Sequence, residues 1–148
     1  MKTLLLPLVF LLGCTLSLQA AELRDSGKCQ IQQAGPFDDD KVVKISLSND
    51  QLELEANLRA DDFVGDYALF AIPSITNKSE ENLSCSWNIA FFDAEGQLVA
   101  ALSQATEVGG GSKDFQLASC LATLPKAVIQ RIAAYEAVCY VNPAPQAE

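Results

Sequence analysis

The chain has 148 residues, of which 19 are acidic and 10 are basic, so its formal net charge is −9, and it contains no histidine. Such an acidic surface repels nucleic acids and anionic membranes, and neither is an expected partner. The missing histidine excludes Ser-His-Asp and Cys-His catalytic sites and histidine-ligated zinc. From these observations we predict a non-enzymatic protein without catalytic residues, cofactor or metal ligands.

The first 20 residues have the anatomy of a secretory signal peptide. Lys2 precedes the apolar run Leu4–Leu12, which is too short to span a bilayer, and small Ala20 precedes the expected cleavage site. Without residues 1–20, which contain one lysine and no acid, the formal charge becomes −10. We therefore predict export across the inner membrane of a bacterium, with the mature protein in the periplasm.

A lipid anchor is the alternative for this segment. Residues Leu11–Cys14 resemble a lipobox, which would place a lipid on Cys14. Leu12 is not the usual residue at its position, and the chain stays apolar through Leu18, where lipoproteins normally become polar. We favour free secretion, and either reading places the domain in the cell envelope.

Four cysteines remain beyond Cys14, namely Cys29, Cys85, Cys120 and Cys139. An even number in an oxidising compartment indicates two disulfides, for which three connectivities are open. Their wide spacing does not fit a metal site.

The mature chain is long enough for one domain with a core. Residues 21–40 lack periodicity and are predicted to form an extended or irregular arm, with Asp38–Asp40 as a solvated turn. We predict a β-sandwich domain over residues 41–142 and a disordered tail over 143–148.

Hydrophobic alternation predicts the first strands of this domain. Apolar and polar residues alternate over 41–48 and 51–58, as expected for strands with one buried face. Residues 60–66 are predicted to form a loop, and a third strand begins at Tyr67. Since Pro73 cannot donate to a ladder, it should lie at an edge or a bulge.

The next two strands form a predicted hairpin. Cys85, Trp87, Ile89 and Phe91 share one face, and residues 96–108 return as the partner strand. Asp93 can accept backbone hydrogen bonds in the intervening turn, and Gly96 can adopt positive φ. The turn therefore accounts for the presence of Asp93 and Glu95 without a catalytic role. The glycines at 109–111 predict another reversal.

The C-terminal part contains the only helical signal. Residues 112–119 are predicted to form a strand with Phe115 and Leu117 on one face. Pro125 suits the first turn of a short helix, and residues 133–141 form the last strand. The fold class is therefore all-β, an antiparallel sandwich with one short helical turn near the C-terminus.

The strand containing Trp87 resembles the central third strand of an immunoglobulin-like sandwich. In that arrangement the last strand would be its antiparallel neighbour, so the start of one lies beside the end of the other. This implies that Cys85 pairs with Cys139 and leaves Cys29 and Cys120 for each other.

A wider resemblance covers residues 67–141 and is carried by turn and core positions: Asn77, Ile89, Phe91, Phe92, Asp93, Gly96, Leu98, Val99, Gly110, Phe115, Leu124, Pro125, Ile129, Ile132 and Tyr135. With these residues the segment resembles small bacterial extracytoplasmic immunoglobulin-like domains of the FxLYD type. The resemblance implies a sandwich fold, an accessory or interaction role, and no catalytic set.

The leading functional hypothesis is an envelope module that binds another envelope protein. Its contact surface would come from the loops at 60–66, 76–82 and 108–114, with Phe63 as the apolar residue of the first. A secreted inhibitor or small-ligand carrier is the alternative.

A carboxylate-dependent hydrolase is less well supported. It would need pairs such as Asp61/Asp62 with Asp66, or Glu80/Glu81, and all of these lie in predicted loops. A Thr-x-x-Lys spacing at Thr123 is interpreted as a loop leading into the helix, and the N-x-S triplets at 77–79 and 82–84 as coincidence.

Overall fold

A computed structural model describes residues 20–29, 31, 42–63, 66–118 and 120–145. The predicted signal peptide before Ala20, with Cys14, lies outside the described residues, as do the acidic run at 38–40 and the last three residues of the predicted tail. Nine strands and one short helix are described: β1 Ala21–Lys28, β2 Val43–Ser48, β3 Leu52–Phe63, β4 Asp66–Asn77, β5 Leu83–Phe92, β6 Leu98–Val108, β7 Phe115–Gln116, β8 Cys120–Leu124, α1 Lys126–Ile129 and β9 Ala134–Pro143.

The strands form two antiparallel sheets. The first has the order β1-β9-β5-β6, and the second has the order β2-β3-β4-β7, with β8 also paired to β4. The prediction of an all-β antiparallel sandwich with one short helical turn near the C-terminus is confirmed, and β5 pairs antiparallel with β9 as expected.

The core lies between the inner faces of the two sheets. In β5 every second side chain from Leu83 to Phe91 is buried, and Trp87 is almost fully enclosed. From β3, Leu52, Leu54 and Leu58 face it from the second sheet. The alternation seen in the sequence therefore corresponds to real inner faces, because removing these side chains from water is the main favourable term in folding.

The first strand differs from the expected irregular arm. Residues 21–28 form β1, an edge strand that pairs with β9 over its whole length. Its inward positions include Asp25 and Gly27, which do not read as apolar and so hide the alternation. Only the tertiary partner of these two residues, Tyr135, explains why they face inward.

The predicted loop at 60–66 is wrong. β3 continues to Phe63 and β4 starts at Asp66, so the two strands form a long hairpin in which Ala60 pairs with Leu69. The acidic residues Asp61 and Asp62 look loop-like in sequence. They are tolerated in a strand because each lies near the end of the hairpin, where side chains reach solvent.

Pro73 lies in β4 at a register shift of one residue. Ser74 pairs with Gln116 and Ala71 pairs with Cys120, so between these two pairs the partner chain advances by four positions while β4 advances by three. The Pro73 carbonyl accepts the Leu117 amide at 3.0 Å. Of the two expected placements, an edge or a bulge, the register supports the bulge. The strand predicted over 112–119 is present but much shorter, because only Phe115 and Gln116 belong to β7.

Pro125 is the N-cap of α1, one position before the expected first turn, and Ile129 is the buried residue of this helix. In the described residues there is no helix with the length and apolar character needed to cross a membrane.

Candidate functional site

The contact loops predicted from the sequence lie at two opposite ends of the sandwich. The Asn77 end is formed by the turns at 49–51, 78–82 and 109–113. The Asp93 end is formed by the turn at 93–97, helix α1 and the residues after it. Because β3 runs from the first end to the hairpin after Phe63, the predicted loop at 60–66 is remote from the other two.

Asn77 holds the turns of the Asn77 end together through the hydrogen bonds of its uncharged side-chain amide. It is 1% exposed, and its Nδ2 donates to the carbonyls of Glu81 at 2.8 Å and of Val108 and Gly109 at 3.1 Å. Its Oδ1 accepts from the Ser79 amide and hydroxyl at 3.0 and 2.8 Å. A buried amide with this many partners is a structural group that joins two turns. It is not an accessible glycan acceptor.

The glycine turn packs directly on the neighbouring turn. A Cβ on Gly110 would lie 2.0 Å from the Glu80 carbonyl oxygen, so only glycine allows this approach. The Gly111 amide donates to the Ser79 carbonyl at 2.7 Å, and the Gly110 amide donates to Asn82 Oδ1 at 3.1 Å. The expected reversal is thus part of a fixed two-turn surface, on which Glu80 and Glu81 are exposed.

Asp93 organises the opposite end through charge. Its Oδ1 accepts from the amides of Gln97 at 2.8 Å and Glu95 at 3.2 Å, and its Oδ2 accepts from Arg131 at 2.5 Å. The Gln97 and Arg131 hydrogen bonds hold the pKa of Asp93 below its usual value. Gly96 has φ +76°. The turn prediction is confirmed, and the carboxylate is fully engaged.

An open cleft of about 610 Å³ adjoins this turn. Cys29 is buried in its wall, and burial raises the pKa of the Cys29 thiol, so the reactive thiolate form is disfavoured. The cleft is lined by Lys28, Cys29, Asp93, Ala94, Ala133 and Ala134.

Tyr135 connects β1 to the rest of the first sheet. Its hydroxyl donates to Asp25 Oδ2 at 2.9 Å, and its ring lies over Gly27, where a Cβ would be 3.0 Å from Tyr135 Cε1. The pKa of Tyr135 is raised to about 12, chiefly by burial and to a smaller extent by the hydrogen bond to Asp25. Sequence reasoning missed this group. The only available signal was an acid and a glycine at alternate positions of a short polar segment.

The buried cysteines of the core lie on neighbouring strands. Cys85 is directly opposite Val141 and Cys139 is directly opposite Trp87, so the two cysteines are diagonal neighbours on the inner face. The interaction between the two thiols lowers the pKa of Cys85 and raises that of Cys139, and the Cys139 thiol donates to the Tyr140 carbonyl at 4.0 Å.

The predicted disulfides are not formed in this structure. Cys29, Cys85 and Cys139 are free thiols here. Cys120 pairs with Ala71 in the second sheet, and its side chain lies outside the described part. Both disulfides stay predictions.

The carboxylates considered for hydrolysis do not converge. Asp61 and Asp62 are consecutive in β3 and therefore point to opposite faces of the sheet. The Asp66 side chain lies outside the described part, and Glu80 and Glu81 are exposed in a turn. Within the described ranges, no three Cys, Asp or Glu side chains gather in a way that could hold a metal ion.

Lys126 does not have the environment of a catalytic base. Its Nζ lies 5.0 Å from the centroid of the Tyr67 ring, and its interaction with Tyr67 raises its pKa. A lysine base requires a lowered pKa. The Thr-x-x-Lys spacing is therefore best explained by the entry into α1.

Phe63 is the last residue of β3, where it pairs with Asp66. Its side chain lies outside the described part of the structure, and its role as a contact residue stays a prediction.

Comparisons with known proteins give no family assignment. No family model matches the chain, and no curated protein matches it. Among 25 matching chains of solved structures is a crystal structure described as a DUF1425 family member from Shewanella sp. pv-4. It is 17% identical, the match covers 82% of this chain and 99% of that chain, and the TM-score is 0.34. A likeness at this level carries no argument about function.

Proposed function

We propose that the protein is an exported, non-enzymatic module of the bacterial envelope that binds another envelope protein through the Asn77 end. The observation that carries the proposal is the rigid attachment of two exposed turns to each other through Asn77 and Gly110. A surface that is ordered before binding loses less conformational entropy when a partner docks.

The negative charge of the two-turn surface indicates which kind of partner it would bind. The chain has a net charge of −9, and Glu80 and Glu81 are exposed on the two-turn surface. A partner with a basic patch would therefore be steered to this end, whereas nucleic acid and anionic lipid would be repelled. The signal-like segment before Ala20 and the FxLYD resemblance support the envelope location.

The bond between Cys85 and Cys139 is part of this proposal. The diagonal placement of the two cysteines on β5 and β9 supports the pairing inferred from the sequence, and each disulfide would add about 2–4 kcal/mol of stability. Non-reducing peptide mapping of exported protein should recover a Cys85–Cys139 link. A Cys85–Cys120 link, or free thiols, would contradict it.

Affinity capture of the mature protein from its own envelope tests the binding role. The charge-reversed variant Glu80→Lys/Glu81→Lys should lose a partner that the unchanged protein retains. Phe63→Ala is the matched control, because Phe63 lies at the opposite end. If Phe63→Ala loses the partner and the charge-reversed variant keeps it, the contact surface is the other end and the assignment to the Asn77 end is wrong. The intact mass of the exported protein in the same sample shows whether Cys14 is retained and carries a lipid.

A further inference from the structure

Strand β6 is an open edge of the first sheet. It pairs with β5 along one side, and among the described residues no other strand pairs with its second side. The ladder with β5 has a register shift at Val99 and is regular from Ala100 to Val108. Because the amides and carbonyls that face away from β5 stay unpaired over this stretch, they can receive a further strand.

The other edges carry features that discourage pairing. β1 contains four charged residues among its eight. β2 has six residues and contains Lys44, while β7 and β8 have two and five residues. By contrast, β6 has eleven residues with one charge, Glu107, and no proline. Short length and charged side chains are the usual protections of a sheet edge, so β6 is the edge suited to strand addition.

The two faces of β6 specify alternate side chains of an added strand. Inward, β6 presents the buried Leu102 and the half-buried Gln104 and Thr106, so apolar side chains beside them would extend the core. Outward, Ala101 and Ser103 are small and exposed, which leaves room above them for long side chains. Since the side chains of a strand alternate between its faces, a fitting sequence alternates apolar and long polar residues.

Charge selects basic residues for the outward positions. Strands β5, β6 and β9 contain two acids, Glu107 and Glu136, and no lysine or arginine. Both acids are exposed on the outer face, and the exposed Glu95 adds a third negative charge in the turn before β6. A second copy of this chain would bring the same acids against them, whereas lysine or arginine opposite Glu107 would be attracted.

We propose that the β6 edge, residues 100–108, binds an extended basic segment of another protein as an added antiparallel strand. The main chain of the segment pairs with the free amides and carbonyls of β6, its apolar side chains face inward, and its lysine or arginine side chains face outward. The proposal concerns a different surface from the Asn77 end, and it holds or fails independently of the role proposed for that end.

Hydrogen exchange of the full chain, resolved for single amides by NMR, tests strand addition with a synthetic peptide of ten alternating lysine and valine residues. The amides of a strand point alternately to its two sides, and those on one side of β6 are already bonded to β5. The peptide should therefore protect every second amide between Ala100 and Val108. At a peptide concentration about ten times the Kd, exchange of these amides should slow about tenfold.

Two peptides serve as matched controls. In the first, every valine is replaced by proline, which keeps the lysine charges but removes half of the main-chain donors. In the second, every lysine is replaced by glutamate, which keeps the strand pattern but reverses the charge. Neither control peptide should protect β6, because the first cannot form the ladder and the second is repelled by the acidic sheet.

Two substitutions in the protein locate the contact. Ala105→Lys places a like charge on the outer face of β6, next to the outward lysines of the peptide, and should raise the Kd about two- to fivefold. Ser26→Lys makes the same charge change at an exposed position of β1, the opposite edge of the same sheet, and should leave the Kd unchanged.

Three results would overturn the proposal. One is the absence of alternate protection in β6 at every concentration of the lysine–valine peptide. Another is equal protection by the proline peptide, which would show attraction by charge alone. The third is protection of β6 that increases with the concentration of the protein itself, without peptide, which would assign the edge to a second copy.

Discussion

Different chemistry holds the turns together at the two ends of the sandwich. At the Asn77 end the turns are held by a neutral amide and by a glycine approach to backbone. At the Asp93 end and along adjoining β1, they are held by two titratable groups, the Asp93 carboxylate with Arg131 and the Tyr135 hydroxyl with Asp25. The comparison indicates that the buried groups joining the turns of the first end do not titrate and are intolerant of steric change, whereas the second end is pH-dependent and more easily opened.

Gly110→Ala should have the largest effect at the Asn77 end. The new Cβ would overlap the Glu80 carbonyl, and two backbone segments would have to separate, so we expect a loss of at least about 3 kcal/mol in the free energy of unfolding. Chemical denaturation measures it. Gly109→Ala is the control, since its Cβ would lie at ordinary contact distance from the Ser112 hydroxyl (3.4 Å) and Asn82 Oδ1 (3.8 Å). Equal losses would contradict a specific approach at Gly110.

Asn77→Ala should destabilise the same end slightly less. It leaves the carbonyls of Glu81, Val108 and Gly109 without their amide donor, which should cost about 2–3 kcal/mol. Asn82→Ala, at an exposed position with one contact to Gly110, should cost less than about 1 kcal/mol. Thermal and urea unfolding of the two variants measure these losses of stability. Equal losses would show that the effect follows the N-x-S triplet common to both asparagines and does not follow the burial of Asn77.

Tyr135→Phe should have a moderate effect at the other end. It removes a hydrogen bond to a carboxylate and keeps the ring over Gly27, so we expect a loss of about 1.5 kcal/mol. Tyr140→Phe, at an exposed outer position, should stay within about 0.5 kcal/mol of the unchanged protein. Hydrogen exchange should increase in β1 and remain unchanged in β5. A uniform increase would show that Tyr135 does not act on β1 in particular.

The pH dependence should be the smallest effect and should arise at the second end. Tyr135 has a pKa of about 12 in the folded chain against an ordinary value near 10, so its contribution is complete below pH 10 and is lost between about pH 10 and 12. The difference in unfolding free energy between unchanged protein and Tyr135→Phe should shrink across that window. A constant difference would contradict it.

Asp93 should make the free energy of unfolding depend on pH in the acid range. Its folded pKa is lowered, so its contribution is present above the ordinary carboxylate value near 4 and is lost as the pH falls through the folded pKa. The difference between unchanged protein and Asp93→Asn should therefore diminish in acid. Asn77→Ala should show no such change between pH 3 and 12, because Asn77 does not titrate.

Much of the fold was accessible from the sequence wherever a strand has a continuous apolar face. The alternation from Cys85 to Phe91 identified β5, and the turn at Asp93 followed from side-chain chemistry that acts within a few residues. The candidate site was less accessible. The engagement of Asn77 with carbonyls more than 30 residues away, and of Tyr135 with Asp25, depends on contacts that no local pattern encodes.

The sequence by itself determined the all-β class, the hairpin around Asp93, an edge or a bulge at Pro73 and the single helical turn, because alternation, turn geometry and the missing proline amide are local properties. Only the tertiary structure decided that residues 21–28 join the sheet, that the hairpin extends through Asp61 and Asp62, and that Cys85 lies diagonal to Cys139. The physical reason is that inter-strand register and the partners of inward polar groups depend on residues distant in the chain.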